Sequence, residues 1–503
     1  MTTENDTPAV VLTKAQNRRR WAGLAVVASA QLVAMLDETV INIALPSAQK
    51  SLGMASADRQ WIITAYTLAF GSLLLFGGRL ADRFGPKRTF MVGITGFAIM
   101  SAVGGSATSG GWLIAARALQ GVFAAILSPS TLSMVTALFD DKKERAKAFG
   151  IYSGIIASGA ILGLLVGGMV TEYLSWRWCL FINVPIAALA LAAAPMLLPN
   201  VRGDRTARPN VQDVLLTVAG MAALVFGFSE VEGHGWGSTR VLVLLALSAV
   251  LLTGFVLRQT RAQQPLLPLR VVRDRNRAGS FLAVALAEFG LLGISLFASY
   301  QLQVIMHYSP VKAGLAFLPM VAVTVVAATQ IAARLMPRVP SRWLIGPGLL
   351  CIAAGVAMFN LMSTESTYLG TILPTWTVLG FGLGLITPSA TNMVMYGTLP
   401  NDRGITAAFR TTSQQVGGSV GLALANTIAA SAIASFVTAH PTGHMSADYT
   451  ARALVHGTAV AATWSSVLIA VGTIAVFWLV NSRPESQASP SDGGKAPAEP
   501  VTP

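Results

Sequence analysis

The sequence consists largely of apolar stretches that are each long enough to cross a lipid bilayer as a helix. The hydrocarbon core is about 30 Å thick, so a crossing helix needs about 20 mostly apolar residues. Windows of that length predict fourteen spans, at roughly 22–46, 60–79, 89–109, 111–138, 146–171, 178–199, 213–231, 239–258, 279–303, 312–335, 342–362, 367–397, 404–436 and 456–481. We therefore expect an all-α polytopic membrane protein with 14 transmembrane helices.

The composition excludes the main soluble alternatives. Of the 503 residues, 53% are hydrophobic and 11% are charged, whereas soluble domains carry about 25% charged residues. So few charges rule out both a set of soluble domains and a disordered chain. The cysteines Cys179 and Cys351 lie far apart in apolar stretches and share no metal-ligand spacing. They therefore predict membrane-packed thiols, and neither a disulfide scaffold nor a metal site.

The distribution of basic residues predicts the orientation of the chain in the membrane. An even number of spans places both termini on one side. With both termini cytoplasmic, 28 of the 35 Lys and Arg residues fall on the cytoplasmic side and six on the other, and Arg117 lies within a span. This asymmetry follows the positive-inside rule. The net charge of +13 thus reflects membrane topology, and we expect a lipid bilayer and no nucleic acid as its partner.

Loop lengths predict a 6 + 2 + 6 arrangement of the spans. Six helices precede a polar break near residues 199–213, two follow, and a long basic loop at 258–280 precedes the last six. We predict a cytoplasmic tail, a six-helix bundle, a two-helix insert with basic flanks, a second six-helix bundle and a disordered cytoplasmic tail. The corresponding residues are 1–20, 21–200, 201–277, 278–482 and 483–503.

Four ionisable residues within the predicted spans are the strongest functional candidates, since each costs about 2.5–3.5 kcal/mol to insert. They are Asp37 and Glu38 in the first span, Arg117 in the fourth and Glu288 in the ninth. At 1.5 Å per helical residue, Asp37 and Arg117 lie at similar depths, about 22 Å and 21 Å from the same membrane face. They could form a proton-carrying site in which Asp37 responds to Arg117, or a static ion pair that joins two helices.

The other two carboxylates leave alternatives open. Glu38 is about 100° around the helix from Asp37, and periodicity does not decide which of the two faces a cavity. Glu288 lies near mid-membrane, and Arg410 is the one basic residue that nearby spans offer. A second proton or cation-substrate site at Glu288 is one interpretation. A protonated carboxyl that hydrogen-bonds a neighbouring helix is the other.

Two glycine-containing motifs indicate close packing and gating. The loop after the second span, "GGRLADRFGPKR", sets an acidic residue among basic ones at a forced turn, which suggests specific ion pairs and a two-state latch. Its candidate gating residues are Gly78, Asp82, Arg83, Gly85 and Arg88. In the fifth span a strip of small residues permits close helix contact. That strip consists of Gly159, Gly163, Gly167 and Gly168.

Aromatic residues at corresponding depths are candidates for a substrate cavity, although packing against lipid would explain at least half of them. The candidates are Trp61, Tyr66 and Phe70 on the second span and Phe289 and Tyr300 on the ninth.

Taken together, these motifs resemble the fourteen-helix drug:proton antiporters of the major facilitator superfamily. The segment "LDETVINIALP" at 36–46 is similar to the helix-1 signature L-D-x-T-V-x-N-V-A-L-P, and the loop at 78–88 resembles the superfamily's loop 2–3 motif. "RALQG" at 117–121 resembles the helix-4 motif, and "WRWCLFINVPI" at 176–186 the entry into helix 6. The motifs occur in the family's order, as far as "QQVGGSVG" in the thirteenth span.

The resemblance implies two six-helix bundles with a helix pair between them, working by alternating access. It implies that Asp37, at the signature's fixed position, couples protons or cationic drugs, that Arg117 takes part in proton transfer, and that Asp82 and Arg83 gate the two halves. Two departures stand out: Leu164 replaces the proline of the helix-5 antiporter signature, and Gln414 stands where members often have arginine.

The sequence thus predicts a proton-driven antiporter in the cytoplasmic membrane that exports drugs, antibiotics or other amphiphilic small molecules. The alternative is a proton-coupled importer or a uniporter of a small metabolite on the same scaffold. No clustered nucleophile, base or metal site and no nucleotide-phosphate loop occurs in the sequence. We therefore expect no enzyme activity, no cofactor beyond the proton gradient as energy source, and a monomer.

Overall fold

A computed structural model describes residues 13–55, 58–139, 141–203, 210–262, 265–266, 269–396, 403–440 and 447–481. Every regular element in these residues is a helix. The predicted disordered tail at 483–503 and most of the tail at 1–20 lie outside the described residues.

The first seven helices form a group that we call the first helix group. They are α1 (Lys14–Leu52), α2 (Trp61–Phe84), α3 (Pro86–Gly105), α4 (Gly110–Leu138), α5 (Lys142–Tyr173), α6 (Trp178–Phe181) and α7 (Asn183–Leu197). Within the group α2 packs on α4, α3 on α4, α1 on α5 and α1 on α7.

Two long helices, α8 (Val211–His234) and α9 (Thr239–Arg261), come next and pack against each other. The second helix group follows. Its members are α10 (Leu269–Arg273), α11 (Arg275–Tyr300), α12 (Pro310–Val326), α13 (Ala333–Leu335), α14 (Arg342–Ala357), α15 (Leu373–Met395), α16 (Arg403–Ala439) and α17 (Ala447–Leu479). Helix α8 contacts both groups, through α2 and α16.

Thirteen helices in the described part of the chain are long and apolar enough to cross a membrane. Short π-helical turns at Gln301–Ile305, Ala327–Ala332 and Tyr368–Ile372 continue three of these helices without a break. The remaining long helix is α5, in which Leu162–Tyr173 is a shorter apolar segment. The protein is therefore an all-helical, multi-pass membrane protein.

Several helices extend past the apolar windows that predict them, because helical hydrogen bonding continues into polar sequence. Helix α1 begins at Lys14, well before the predicted span at 22–46. The Thr13 hydroxyl accepts a hydrogen bond from the Gln16 backbone N–H, and the Gln16 side chain accepts one from the Thr13 N–H. This capping box fixes the start of the helix within the polar segment.

Hydrogen bonds from basic side chains place several helix ends at one face of the first helix group. Arg19, at the start of α1, donates to the Met196 carbonyl at 2.9 Å. Lys87, at the start of α3, donates to the Leu198 carbonyl at 2.9 Å. The starts of α1 and α3 and the end of α7 therefore lie together, at what we call the basic face.

The basic face continues across the second helix group. Arg79, near the end of α2, donates to the Pro265 carbonyl at 2.5 Å, just before α10. Arg275, at the start of α11, donates to the Trp478 carbonyl at 2.5 Å, near the end of α17. The start of α1 and the end of α17, the first and last helices that the structure describes, thus lie at the same face.

Candidate functional site

A buried ion pair joins α1 to α4. The Arg117 Nη1 atom lies 2.5 Å from Oδ2 of Asp37, and both residues are about 1% exposed. The structure thus brings together the carboxylate and guanidinium that axial depth alone places at the same level. Because a lone buried charge is strongly unfavourable, each residue depends on the other.

Two amides complete the surroundings of Asp37. Its Oδ1 atom accepts hydrogen bonds from Gln120 Nε2 at 2.9 Å and from Asn183 Nδ2 at 2.7 Å. Asn183, at the start of α7, also donates to the Ser101 hydroxyl at 3.0 Å. Sequence reasoning assigned neither amide a role. The signal for both was present, since each is a polar residue within an apolar span and inside a recognisable motif.

Arg117 has further contacts besides Asp37. It donates through Nε to the Ile62 carbonyl at 3.2 Å and through Nη1 to Gln120 Oε1 at 2.8 Å. Its guanidinium lies 4.3 Å from the centre of the Tyr66 ring, close enough for a cation–π interaction. The ion pair is therefore held by both charge and hydrogen bonds, and in this conformation it is turned into the first helix group.

A cavity of about 510 Å³ lies between the two helix groups. It is lined by residues of α1, α2, α4, α5, α15 and α16, and its mouth lies near Arg79 and Asp82, at the basic face. The lining is mainly apolar and includes a few polar and charged side chains, the usual composition of a small-molecule site. Those charged side chains are Glu38, Arg79, Asp82 and Arg410.

Glu38, and not Asp37, lines this cavity. Asp37 is turned away into the ion pair, while the adjacent Glu38 is half-buried and accepts a hydrogen bond from Gln415 Nε2 at 3.1 Å. This bond joins α1 of the first group to α16 of the second. The structure thereby separates the two neighbouring carboxylates, which helix periodicity alone could not do.

Glu288 lies beyond the cavity wall. Its Oε2 atom accepts a hydrogen bond from Gln414 Nε2 at 3.1 Å, and Arg410 Nη1 lies 3.5 Å from Gln414 Oε1. Arg410 and Gln414 both line the cavity, whereas Glu288 is not among the lining residues. The chain from Arg410 through Gln414 to Glu288 therefore connects the cavity to a carboxylate within the second group.

The five aromatic candidates divide into two sets. Tyr66 and Phe70 line the cavity. Trp61 instead lies against Phe226 of α8, with ring centres 4.4 Å apart, and Phe289 is buried in the apolar core of the second group. Tyr300 is buried as well, at the end of the molecule opposite the cavity mouth.

The cavity is closed at that opposite end by contacts between the two groups. Ser299 Oγ of α11 donates to the Asn42 carbonyl of α1 at 2.9 Å, and Gln303 Nε2 donates to the Ile43 carbonyl at 3.0 Å. The Tyr300 hydroxyl also donates to Gln49, and the Arg59 guanidinium lies 4.1 Å from the Tyr300 ring centre.

A hydroxyl pair also joins α2 to α16 at the inner end of the cavity, where Thr67 Oγ1 and Ser419 Oγ are 2.8 Å apart. The two groups are therefore in direct contact at the closed end. Toward the basic face the cavity lies between them, and the hydrogen bond from Arg79 to Pro265 crosses its mouth.

The loop motif forms the turn between α2 and α3. Gly85 ends α2 with φ of +88°, a value that favours glycine, and its N–H donates to the Ala81 carbonyl at 3.0 Å. Pro86 then begins α3. Gly78 and Asp82 line the central cavity. Two other residues of the motif, Arg83 and Arg88, line a separate recess with Arg202.

The glycine strip of α5 lies against two helices. A Cβ atom at Gly159, Gly163 or Gly167 would lie within 3.2 Å of α1 atoms, and the closest approach would be 1.8 Å, from Gly163 to Thr39 Oγ1. Gly168 instead faces α12, where a Cβ atom would lie 2.7 Å from the Pro310 carbonyl oxygen. The carbonyl of Leu164 lies against Gly314 of α12. The close contacts of α5 with α1 in its own group and with α12 in the second group therefore require glycine at these positions.

Two groups of membrane helices around a central cavity, with a carboxylate–guanidinium pair buried beside it, define a membrane transporter. The sequence model of the Major Facilitator Superfamily matches residues 27–422. The chain belongs to this superfamily.

Relatives of known name extend over most of the chain. The puromycin resistance protein pur8 of Streptomyces alboniger is 45% identical over 484 residues, which cover 96% of this chain and 95% of that protein. The cephamycin export protein CmcT of Amycolatopsis lactamdurans is 37% identical, covering 81% and 85%. The multidrug efflux pump LfrA of Mycolicibacterium smegmatis is 31% identical, covering 82% and 81%.

A solved structure supports the fold. The crystal structure of an auto-inhibited POT family peptide transporter matches with a TM-score of 0.65 and 15% sequence identity, covering 95% of this chain and 99% of that one. At this identity the match concerns the fold alone. The family match, the named relatives and the thirteen apolar helices of the described residues identify the protein as a multi-pass transporter of the cell membrane.

Proposed function

We propose that this protein is a proton-driven antiporter that exports amphiphilic small molecules, including antibiotics, by alternating access. The observation that carries the proposal is the buried Asp37–Arg117 pair next to a cavity that opens at the basic face. Relatives named for puromycin resistance, cephamycin export and multidrug efflux support a drug-like substrate. An exporter also needs no catalytic group, and the energy comes from the proton gradient.

In the proposed cycle, Asp37 carries the proton. In its ionised form Asp37 binds Arg117, Gln120 and Asn183, and the cavity is open at the basic face. A proton on Asp37 would remove the charge that holds Arg117, and the guanidinium would then take a different set of partners. We propose that this exchange favours the opposite opening of the cavity.

The remaining assignments follow from this cycle. The basic face is cytoplasmic by the positive-inside rule, and a monomer with fourteen spans contains the whole path. The groups at 21–200 and 278–482 would move against each other, with Gly78, Asp82, Arg83, Gly85 and Arg88 as the gate. Glu288 would serve as a second proton or cation site, which the cavity reaches through Gln414.

Dye transport in everted membrane vesicles tests the proposal. Respiration acidifies the interior of such vesicles, and a proton-driven exporter then moves its substrate into them. The substrate is the cationic dye ethidium, and its accumulation in the vesicles is followed by fluorescence. We expect a proton uncoupler and Asp37→Asn each to abolish accumulation. Asp58→Asn, the same change at an exposed loop position, should leave it unchanged.

Accumulation that survives both the uncoupler and Asp37→Asn would exclude the proton mechanism. Uptake of a metabolite by intact cells, without any change in their drug tolerance, would support the proton-coupled importer or uniporter instead.

A further inference from the structure

Glu38 occupies the first variable position of the helix-1 signature, directly after the fixed aspartate. Asp37 is buried in the first helix group, whereas Glu38 lines the cavity between the groups. The two carboxylates therefore face different surroundings. A carboxylate in a membrane span that forms no ion pair within the protein is a candidate binding group for a ligand cation.

The contacts of Glu38 leave room for such a ligand. Its Oε1 atom accepts the hydrogen bond from Gln415 at 3.1 Å. In the part of the chain that the structure describes, no lysine, arginine or histidine forms an ion pair with Glu38. Its Oε2 atom likewise has no hydrogen-bond partner among those residues, so a donor from the cavity can reach it.

The basic residues of the cavity are positioned away from Glu38. Arg79 donates to the Pro265 carbonyl at the mouth. Arg410 lies five residues before Gln415 on α16, about 7.5 Å along the helix axis at 1.5 Å per residue. It is directed toward Gln414, which in turn binds Glu288. The two arginines that line the cavity therefore lie nearer its mouth than Glu38 does. Arg117, which is close to Glu38 and lies over the Tyr66 ring, does not line the cavity and is paired with Asp37.

The walls beside Glu38 are apolar and aromatic. Met35 and Leu74 line the cavity together with Phe70 and Tyr66, whose ring centres lie 5.9 Å apart. The Arg117 guanidinium lies over the Tyr66 ring, so the Phe70 ring is the better surface for the ring of a ligand. A carboxylate next to such a wall suits a molecule that has both a positive charge and an apolar body.

We propose that Glu38 is the residue that selects cationic substrates. Its Oε2 atom would accept a charge-assisted hydrogen bond from a substrate ammonium, Gln415 would orient the carboxylate, and the apolar body would pack on Phe70, Leu74 and Met35. This inference deepens the proposed function and rests on it for the premise that the cavity holds a small molecule. In this proposal Asp37 carries the proton and Glu38 binds the positive charge of the substrate.

Binding to the purified, detergent-solubilised protein tests this division without a proton gradient. The probes are dansylcadaverine, a fluorescent amphiphile with a primary ammonium, and its N-acetyl derivative, which lacks the charge. A hydrogen bond between two charged groups predicts that dansylcadaverine binds about tenfold to a hundredfold more tightly. In Glu38→Gln, which keeps the size of the side chain, we expect this preference to vanish.

Matched variants guard against indirect effects. Glu38→Asp keeps the charge and should retain part of the preference. Glu365→Gln makes the same change at an exposed position far from the cavity lining and should bind both probes as the unmodified protein does. Unchanged binding of the acetylated probe to Glu38→Gln would show that this variant folds.

Equal affinity of the unmodified protein for the two probes would overturn the proposal, and so would a full preference in Glu38→Gln. Transport distinguishes this failure from that of the proposed function. If the preference depends on Glu38 but vesicles show no proton-driven export, the antiport proposal fails and the binding site stands. If export depends on Asp37 but binding ignores charge, the site proposal fails alone.

Discussion

Replacing Asp37 tests whether the buried pair carries a proton or serves only as a structural link. In Asp37→Asn, Arg117 loses its counterion while only about 1% exposed. Breaking a buried ion pair from one side destabilises a protein by about 3–5 kcal/mol. Arg117 keeps its hydrogen bonds to Ile62 and Gln120 and the contact with the Tyr66 ring. We therefore expect the lower end of that range, about 3 kcal/mol.

Removing both charges separates the two interpretations. The double variant Asp37→Leu, Arg117→Met leaves no uncompensated charge, and buried pairs replaced by apolar residues are often no less stable. Gln120 and Asn183 lose their acceptor, although Asn183 keeps Ser101. We expect the double variant to recover about half of the lost stability, or about 1.5 kcal/mol. It should nevertheless remain inactive in export, because no carboxylate is left to carry the proton.

Both quantities can be measured on the same preparations. Unfolding in a titration with sodium dodecyl sulfate, followed by the fluorescence of the ten tryptophans, gives the change in the free energy of unfolding. Dye accumulation in everted vesicles gives the activity. A double variant that regains both stability and uncoupler-sensitive export would refute the proton-carrier interpretation and leave Asp37–Arg117 as a static link.

Three further changes test the packing and the closed end. Gly77→Ala places a Cβ atom 1.9 Å from a carbonyl oxygen of α4 and should lower the free energy of unfolding by about 1–3 kcal/mol. At Gly78 the nearest atom to such a Cβ is 3.9 Å away, so Gly78→Ala should change the free energy of unfolding by less than about 0.5 kcal/mol in the same titration. Asn183→Leu removes a hydrogen-bond donor to the Asp37 carboxylate and should lower the free energy of unfolding by about 2 kcal/mol. A decrease of less than about 0.5 kcal/mol would contradict the proposed importance of this hydrogen bond. In a cysteine-free background, Thr67→Cys with Ser419→Cys should form a disulfide under oxidation that stops export until a reductant is added. Export that continues after complete cross-linking would show that this end need not open.

The sequence predicts distance along a helix axis well and rotation about that axis poorly. The equal depth of Asp37 and Arg117 could be predicted because the rise per helical residue is constant, whatever the neighbouring side chains are. Rotation is different, since a membrane helix is apolar toward lipid as well as toward its neighbours, so the usual amphipathic pattern is weak. For this reason the sequence could not choose between Asp37 and Glu38 as the cavity residue.

The aromatic candidates show the same limit. Trp61 and Tyr66 lie on the same helix, yet Tyr66 lines the cavity while Trp61 packs on α8. Nothing in the sequence around Trp61 indicates that α8, more than a hundred residues later in the chain, covers that side of α2. Long-range pairs such as Glu38 with Gln415 are hidden for the same reason, because they arise only once the two helix groups meet.

The closed end of the cavity has a consequence for the energy difference between conformations. Its polar contacts are the neutral hydrogen bonds of Ser299, Gln303, Tyr300 and Thr67, one cation–π contact, and a hydrogen bond from the Val311 N–H to the Glu172 carboxylate. Apolar side chains of both groups, among them Val40 and Leu296, are buried together beside these contacts. In membrane proteins such hydrogen bonds average about 0.6 kcal/mol each. Reversing a population ratio from 1:99 to 99:1 takes about 5.5 kcal/mol of differential affinity. At about 0.6 kcal/mol each, the four neutral hydrogen bonds contribute only about 2 kcal/mol together. Most of the energy that opening this end would cost therefore lies in separating the apolar side chains that the two groups bury against each other.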